Sequence, residues 1–585
     1  MIRKFLLLLG LLPALLCARV AMAQGLDPDV SLKWQVVDRF RLLRNAIDQK
    51  EYFSYIDRIA KQSGTSGAYD SPIPWTVARN SRGKILIDRT RWVAKSNQYD
   101  VDYVFPKQWT ISVQLDGLAR ASDYDCTWSV ATFPMRTSNC ARGFEADMRR
   151  DAVVQVDVTK RQEARRVGSR TVTVRPRDIL IAVIGDSFFS GEGAPDLHLR
   201  PKDGRAAQTP ARWWDERCHR SLFSGPAIAA ALLARDPAFA QKSVTFVSFA
   251  CSGAAINDGI LTGYVGRALP DQIVKLNLGL AITYQASTEN LTGFIPAQID
   301  ALALSLCSTR KFENGACTGS SRQPDVLLVS TGGNEVGFGP IARNILANDS
   351  STSIEAIKSY HRKAIACLAD GYDQLAKEIS ARIKPKLIGL VEYPNLLTWG
   401  KSRQLCDEGS WIKLRSYQPS IFGVLSVLGV GTSKQEAQAA LDNVLIPLDD
   451  EVAKAVSRHK DDGWLLISGI RDGALGHGFC SAVDPWFNNV ELTLLRQGMT
   501  PSGKVTAEGL PPASTATAAL DSCLSGALSR AVPPLLRTPF VQVGPSTEIG
   551  ALPTGVLHPN ARGTVVLYGP AILDAIREGL SNLPE

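Results

Sequence analysis

Ile181-Ala-Val-Ile-Gly-Asp-Ser-Phe-Phe-Ser-Gly-Glu-Gly193 constrains this chain more than any other stretch. A run of small and β-branched apolar residues stops at Gly185-Asp186-Ser187, and small, turn-prone residues follow. Continuous apolar character over a short run reads as a parallel strand buried on both faces. The glycine-bounded stop reads as a tight turn that presents one hydroxyl. Such a turn lies at the C-terminal edge of the sheet, where open α/β folds place their ligands.

Three further segments carry the same signature or complete its chemistry. Val244-Thr-Phe-Val-Ser-Phe-Ala-Cys-Ser-Gly253 is a strand pattern running into a glycine turn. Gly253 could bring a backbone N–H against a ligand, because no Cβ blocks the approach. Asp325-Val-Leu-Leu-Val-Ser-Thr-Gly-Gly-Asn334 ends with an amide at a strand tip, able to donate to a developing oxyanion. Leu557-His-Pro-Asn560 places His558 where a loop enters a helix that Pro559 would start well. Between these runs lie helical patterns at 226–234 and 354–383 and from Lys434 onward, the last capped by Ser433, with strand patterns at 384–393 and 464–468. The alternation predicts a three-layer α/β/α domain with a largely parallel sheet.

Gly185-Asp186-Ser187, Gly253, Gly332-Gly333-Asn334 and His558, in this order, resemble the SGNH (GDSL-type) hydrolases. Cys218-His-Arg-Ser221, Ala250-Cys-Ser-Gly253 and Gly476-His-Gly-Phe-Cys480 are similar to the disulfide-bearing secreted lipases and esterases of actinobacterial type. The resemblance runs from about Ile179 to the C-terminus. It implies Ser187 as nucleophile and His558 as general base. It implies an oxyanion hole of the Ser187 N–H, the Gly253 N–H and the Asn334 side chain. It also implies the pair Cys218–Cys251, with Cys406–Cys480 as a further candidate. The family's acid three residues before the histidine is absent, because that position is Gly555. A backbone carbonyl from Gly555 is the favoured base-orienting group, with Asp484 or Asp472 as rivals. Glu335 stands where Asp is commoner, a departure expected to matter little. His477 is the competitor for the base and reads as a wall or packing residue. The other four histidines read as surface or structural.

The 585 residues suit two or three domains. Met1 to Ala23 has a charged start, an apolar core and an Ala-Met-Ala end, the pattern of a secretory signal peptide. Residues 24–100 read as a helical and irregular segment, with Trp34, Val37, Phe40, Leu43, Ala46 and Ile47 at helix-like intervals. Residues 101–176 read as a small β-sandwich of immunoglobulin-like type, beginning with a strand at 101–105. Residues 177–585 form the predicted hydrolase domain, in which 500–550 reads as a long loop. Ten cysteines remain once Cys17 leaves with the signal, and an exported chain is expected to pair them. Spacing suggests Cys126–Cys140 and Cys307–Cys317, with Cys367 and Cys523 as a long-range pair or free thiols.

Composition excludes less than it permits. A formal charge of +8 falls to about +5 once Arg3, Lys4 and Arg19 are removed, too modest to mark a nucleic-acid partner. No metal site is expected, since the six histidines are scattered and no Cys-x-x-Cys pair occurs. Gly191-Glu-Gly193 lacks the pattern of a phosphate loop. No cofactor and no later membrane segment are expected. The reading is an exported serine esterase of lipase or esterase type, acting on a lipid or an acylated carbohydrate. The alternatives are a carbohydrate O-acetyl esterase acting on a polysaccharide and a catalytically inactive binding module.

Overall fold

The computed structural model describes residues 26–62, 71–74, 83–131, 133–149, 151–199, 211–266, 293–337, 353–406, 434–489, 492–493, 496–497 and 555–583. The signal sequence, Ser433, Cys523 and the segment 500–550 lie outside the described residues. The chain divides into two compact units.

The first unit joins residues up to Val36 with Gln108–Pro176. One antiparallel sheet holds β1 (Ser31–Val36), β2 (Trp109–Asp116) and β5 (Phe144–Met148). The other orders β4 (Phe133–Asn139), β3 (Tyr124–Val130), β6 (Ala152–Lys160) and β7 (Arg165–Val174). Trp34, Val113, Trp128, Phe144, Val154, Val156 and the Cys126–Cys140 disulfide share one core. The helical reading from Trp34 is corrected here. Trp34 and Val36 are buried while Ser31, Lys33 and Gln35 are exposed, so the true period is two, and Trp34 pairs with Val113.

The second unit takes Val37–Lys107 and the chain from Arg177 onward. Residues 101–107 therefore belong here, and Val101–Val104 is a short helix rather than the expected strand. The reason is a tertiary demand. A five-stranded parallel sheet runs in the order β9 (Lys242–Ser248), β8 (Arg177–Gly185), β10 (Val326–Ser330), β11 (Leu387–Val391), β12 (Trp464–Ile467). β9 is an edge strand whose free backbone groups need partners. The Tyr103 hydroxyl accepts from Phe246 N at 2.9 Å and donates to Phe246 O at 2.6 Å. The Tyr99 hydroxyl accepts from Ser248 N at 2.8 Å. Arg39 and Arg41 backbone groups bond Val244 at 2.6 and 3.0 Å. The stretch before the first unit's return thus seals the sheet edge.

Every residue of β10 and β11 is buried, so both faces of the sheet are covered. α1 (Ala46–Lys61) starts at Asn45, whose side chain accepts from Asp48 N at 2.9 Å. α3 (Gly225–Arg235) starts at Ser224 with Pro226 in its first turn and packs against α7 (Gly569–Ser581). α4 (Gln298–Ser305), α5 (Ser353–Arg382) and α6 (Ile446–Arg458) form a second group of helices. The strands end together at one sheet edge, where Gly185 pairs in register with Ser330. α2 (Ser187–Ser190) begins directly after β8 at this edge and is buried throughout.

Candidate active site

Ser187 is the first residue of α2, capped by Asp186, whose carboxylate accepts from Phe188 N at 3.0 Å. The strand-to-helix turn leaves the Ser187 N–H without an intrahelical partner. His558 comes from the far end of the chain, 371 residues away, and its Nε2 lies 2.7 Å from Ser187 Oγ. Both side chains are nearly buried, at 6 and 5% exposure.

The other imidazole nitrogen identifies the tautomer. His558 Nδ1 lies 2.9 Å from the Val556 carbonyl oxygen, which can only accept. Nδ1 therefore carries the proton, and Nε2 accepts from the serine hydroxyl. The expected carbonyl, Gly555, is corrected to Val556. The His558 N–H donates to Gly555 O at 3.3 Å, closing a turn in which Leu557 takes φ +64°. A positive φ at the third turn position is the mark of type II geometry, which flips the central peptide. That flip presents the Val556 oxygen to the ring. Gly555 is there for space: a Cβ on it would lie 2.2 Å from Gln497 Oε1.

The two rival acids have other partners. Asp484 accepts from Arg562 Nε at 3.2 Å and Trp486 Nε1 at 3.2 Å, and Asp472 is an exposed partner of Arg471. His477 stacks on Trp486 at 3.7 Å and 4°, with Nδ1 donating to Asp484 O at 2.9 Å. These contacts are those of a packing residue.

The oxyanion candidates converge on the same edge. Gly253 has φ +79°, a Cβ there would meet nothing within 4 Å, and its N–H has no partner among the described residues. Asn334 Nδ2 donates to Ala254 O at 2.8 Å, which fixes the amide and leaves its second hydrogen. Glu335 links the two loops. Its carboxylate accepts from Ile256 N at 2.5 Å, Thr331 Oγ1 at 2.9 Å and Gly332 N at 2.9 Å, tying the Gly253 and Asn334 loops together. The Cys218–Cys251 disulfide anchors the first of these loops, and Cys307–Cys317 and Cys406–Cys480 close two others.

Several supporting residues escaped the sequence reading because their partners are remote. The Tyr393 hydroxyl, at the end of β11, donates to Asp186 Oδ2 at 2.5 Å and accepts from Gly333 N at 2.9 Å. Ser330 Oγ donates to Asp186 Oδ1 at 2.8 Å. Burial pushes the Asp186 carboxyl up to about 7 against these donors. Asn488 Nδ2 donates to Gly193 O at 2.8 Å, and Asn488 exchanges backbone bonds with Leu557 and His558. Tyr393→Phe leaves the Gly333 N–H buried without its acceptor, at a cost of about 1–3 kcal/mol. Urea unfolding of the variant should register that loss, together with reduced turnover.

Burial pulls His558 below the ordinary imidazole value of 6.5, against the pull of Glu192 and the Val556 carbonyl. Its neutral form, which has a free lone pair on Nε2, is therefore populated at neutral pH. Among the described residues no group of three or more His, Cys, Asp or Glu is placed to hold a metal ion.

No protein-family model matches the chain, and no curated protein does. Solved structures similar to it include an extracellular lipase from Streptomyces rimosus, at 16% identity and TM-score 0.33, covering 68% of this chain and 99% of that one. A phospholipase A1 from Streptomyces albidoflavus is similar at 15% identity and TM-score 0.30, covering 68% and 98%. A carbohydrate esterase is similar at 12% identity and TM-score 0.21, covering 62% and 85%.

Proposed function

We propose that this chain is an exported serine hydrolase that cleaves carboxylic esters, with a Ser187–His558 dyad. The observation that carries this reading is the 2.7 Å contact between Ser187 Oγ and a His558 ring whose Nδ1 is held by a carbonyl. A serine hydroxyl becomes a competent nucleophile when a base takes its proton during attack. Ser187 Oγ bonds the acyl carbon while its proton passes to His558 Nε2. The carbonyl oxygen, now anionic, takes hydrogen bonds from the Ser187 and Gly253 N–H groups and the Asn334 amide. His558 returns the proton to the departing alkoxide as the ester C–O bond breaks. Water then attacks the acyl-enzyme, loses its proton to His558, and releases the acid with Ser187 restored. The four disulfides among the described residues suit an oxidising compartment, and no described helix is long and apolar enough to cross a membrane.

The test is covalent labelling by a fluorophosphonate, with the modified peptide identified by mass spectrometry. Label on Ser187 is the expected result; a protein that stays unlabelled overturns the reading. Hydrolysis of p-nitrophenyl esters from acetate to palmitate then selects the substrate class. Preference for acetate points to an acylated carbohydrate, and preference for long chains to a lipid.

Two further results follow from the geometry. Asn334→Ala should lower kcat by about 10²–10³ with KM little changed, because one donor to the oxyanion is lost. The acid limb of kcat/KM should titrate below 6.5, since the base must be neutral and burial lowers its pKa. Activity should rise with pH through that limb and stay level across neutrality. A limb above 6.5 would mean that His558 is not the base.

A further inference from the structure

A triad acid does two things for a catalytic histidine: it orients the ring and it offsets the positive charge formed when the ring takes a proton. The Val556 carbonyl meets the first need. It offers only a partial charge toward the second, in a site where His558 is almost wholly buried. A buried carboxylate lies close by that the dyad mechanism leaves unused. Glu192 has no exposed surface and sits in the turn that follows the nucleophile helix. Its neighbour Gly193 abuts the base: a Cβ on Gly193 would lie 2.7 Å from His558 Cβ.

Glu192 is held from three sides. Its Oε2 lies 2.6 Å from His219 Nδ1. Ser252, the residue before Gly253, also hydrogen-bonds its side chain. Gln497 Nε2 donates to its backbone carbonyl at 2.6 Å. His219 is fixed in turn, stacked on Trp213 at 4.0 Å and 14°, and stands at φ +50°. A non-glycine residue in that region is uncommon and is retained where its surroundings demand it. Of the two readings the sequence left open for His219, surface or structural, this pairing fits the structural one.

We infer that Glu192, paired with His219, is a positioning residue that supplies the counter-charge for protonated His558 in place of a triad acid. The inference rests on the Ser187–His558 reading and deepens it. His558 contacts the Ser187 hydroxyl and the Val556 carbonyl, and the charges of Glu192 and His219 act on it. Glu192 favours its protonated form and His219 opposes it. Burial opposes a charge on His219, but Glu192, Glu216 and Asp215 outweigh it and raise its pKa above the ordinary value. Burial works against ionisation of Glu192, yet His219, His558 and Ser252 hold its carboxyl down at about 2, so it is anionic at working pH.

The experiment is an NMR titration of the folded protein with its six histidines labelled at Cε1, the His558 signal being assigned with His558→Gln. Glu192→Gln should move the His558 midpoint down by on the order of one pH unit, the scale of a lost opposite charge. His219→Gln should move it up, because a competing cation is gone. The acid limb of kcat/KM should shift in the same two directions. The plateau of Glu192→Gln should fall by roughly tenfold, the equivalent of one unit of lost imidazolium stabilisation. An unmoved midpoint in Glu192→Gln, even with lower activity, overturns the inference and leaves Glu192 a packing residue. Should that variant not fold, an unmoved or lowered midpoint in His219→Gln overturns it instead. Failure of the dyad reading is separable: wild type would then escape fluorophosphonate labelling whatever the midpoints do.

Discussion

Replacing Ser187 with alanine is expected to lower kcat for ester hydrolysis by about 10⁶, the scale seen when a serine nucleophile is removed from a dyad or triad. The change deletes one oxygen and leaves the rest of the edge intact. Ser187 is the first residue of α2, and its backbone N–H remains available as an oxyanion donor. The Asp186 cap, through its bond from Phe188 N, does not involve the serine side chain. The fold should therefore survive, with substrate affinity little altered. Some activity above the uncatalysed rate should persist, because oxyanion donors and substrate binding contribute about 10³–10⁴ by themselves. Initial rates with a p-nitrophenyl ester, alongside a melting curve, check both parts. Retained activity in a well-folded variant would move the nucleophile elsewhere.

His558→Ala should cost a similar factor, and the double variant with Ser187→Ala should cost little more than either alone. A nucleophile and its base act as one unit, so their losses do not add. The arrangement here sharpens the expectation. With the Val556 carbonyl at Nδ1, neither Asp484 nor Asp472 is needed to orient the ring. Asp484→Asn and Asp472→Asn should therefore leave kcat nearly unchanged, since their carboxylates serve Arg562, Trp486 and Arg471. A 10⁴-fold loss in either, the scale of a triad acid, would show that the base is oriented by an acid after all.

The reach of the sequence follows from how local each signal is. Ser187, Gly253 and Asn334 each follow a strand-like run that leads into a glycine-bearing turn, and that signal is written in nearly consecutive residues. The helices at 225–235 and 353–382 announce themselves in the same way, through a Ser-Gly-Pro start and a sustained period. Readings failed where a short segment's conformation is set by a distant partner. Ser31–Val36 has too few residues to separate period two from period 3.6, and its pairing with Trp109–Asp116 decides for strand. Val101–Val104 turns helical because Tyr99 and Tyr103 must reach the backbone of the sheet's edge strand.

The site divides along the same line. The sequence by itself determined which residue types stand at which strand ends, and hence that a serine, a histidine and an amide are available there. Tertiary structure alone decided that Val556, one residue on from Gly555, turns its carbonyl to the ring. It alone brought Tyr393 under Asp186 and Glu192 against His219, pairs separated by 207 and 27 residues. Peptide orientation within a turn and contacts across a sheet edge depend on the whole packed chain, because no local run of residues encodes which remote group will fill the space.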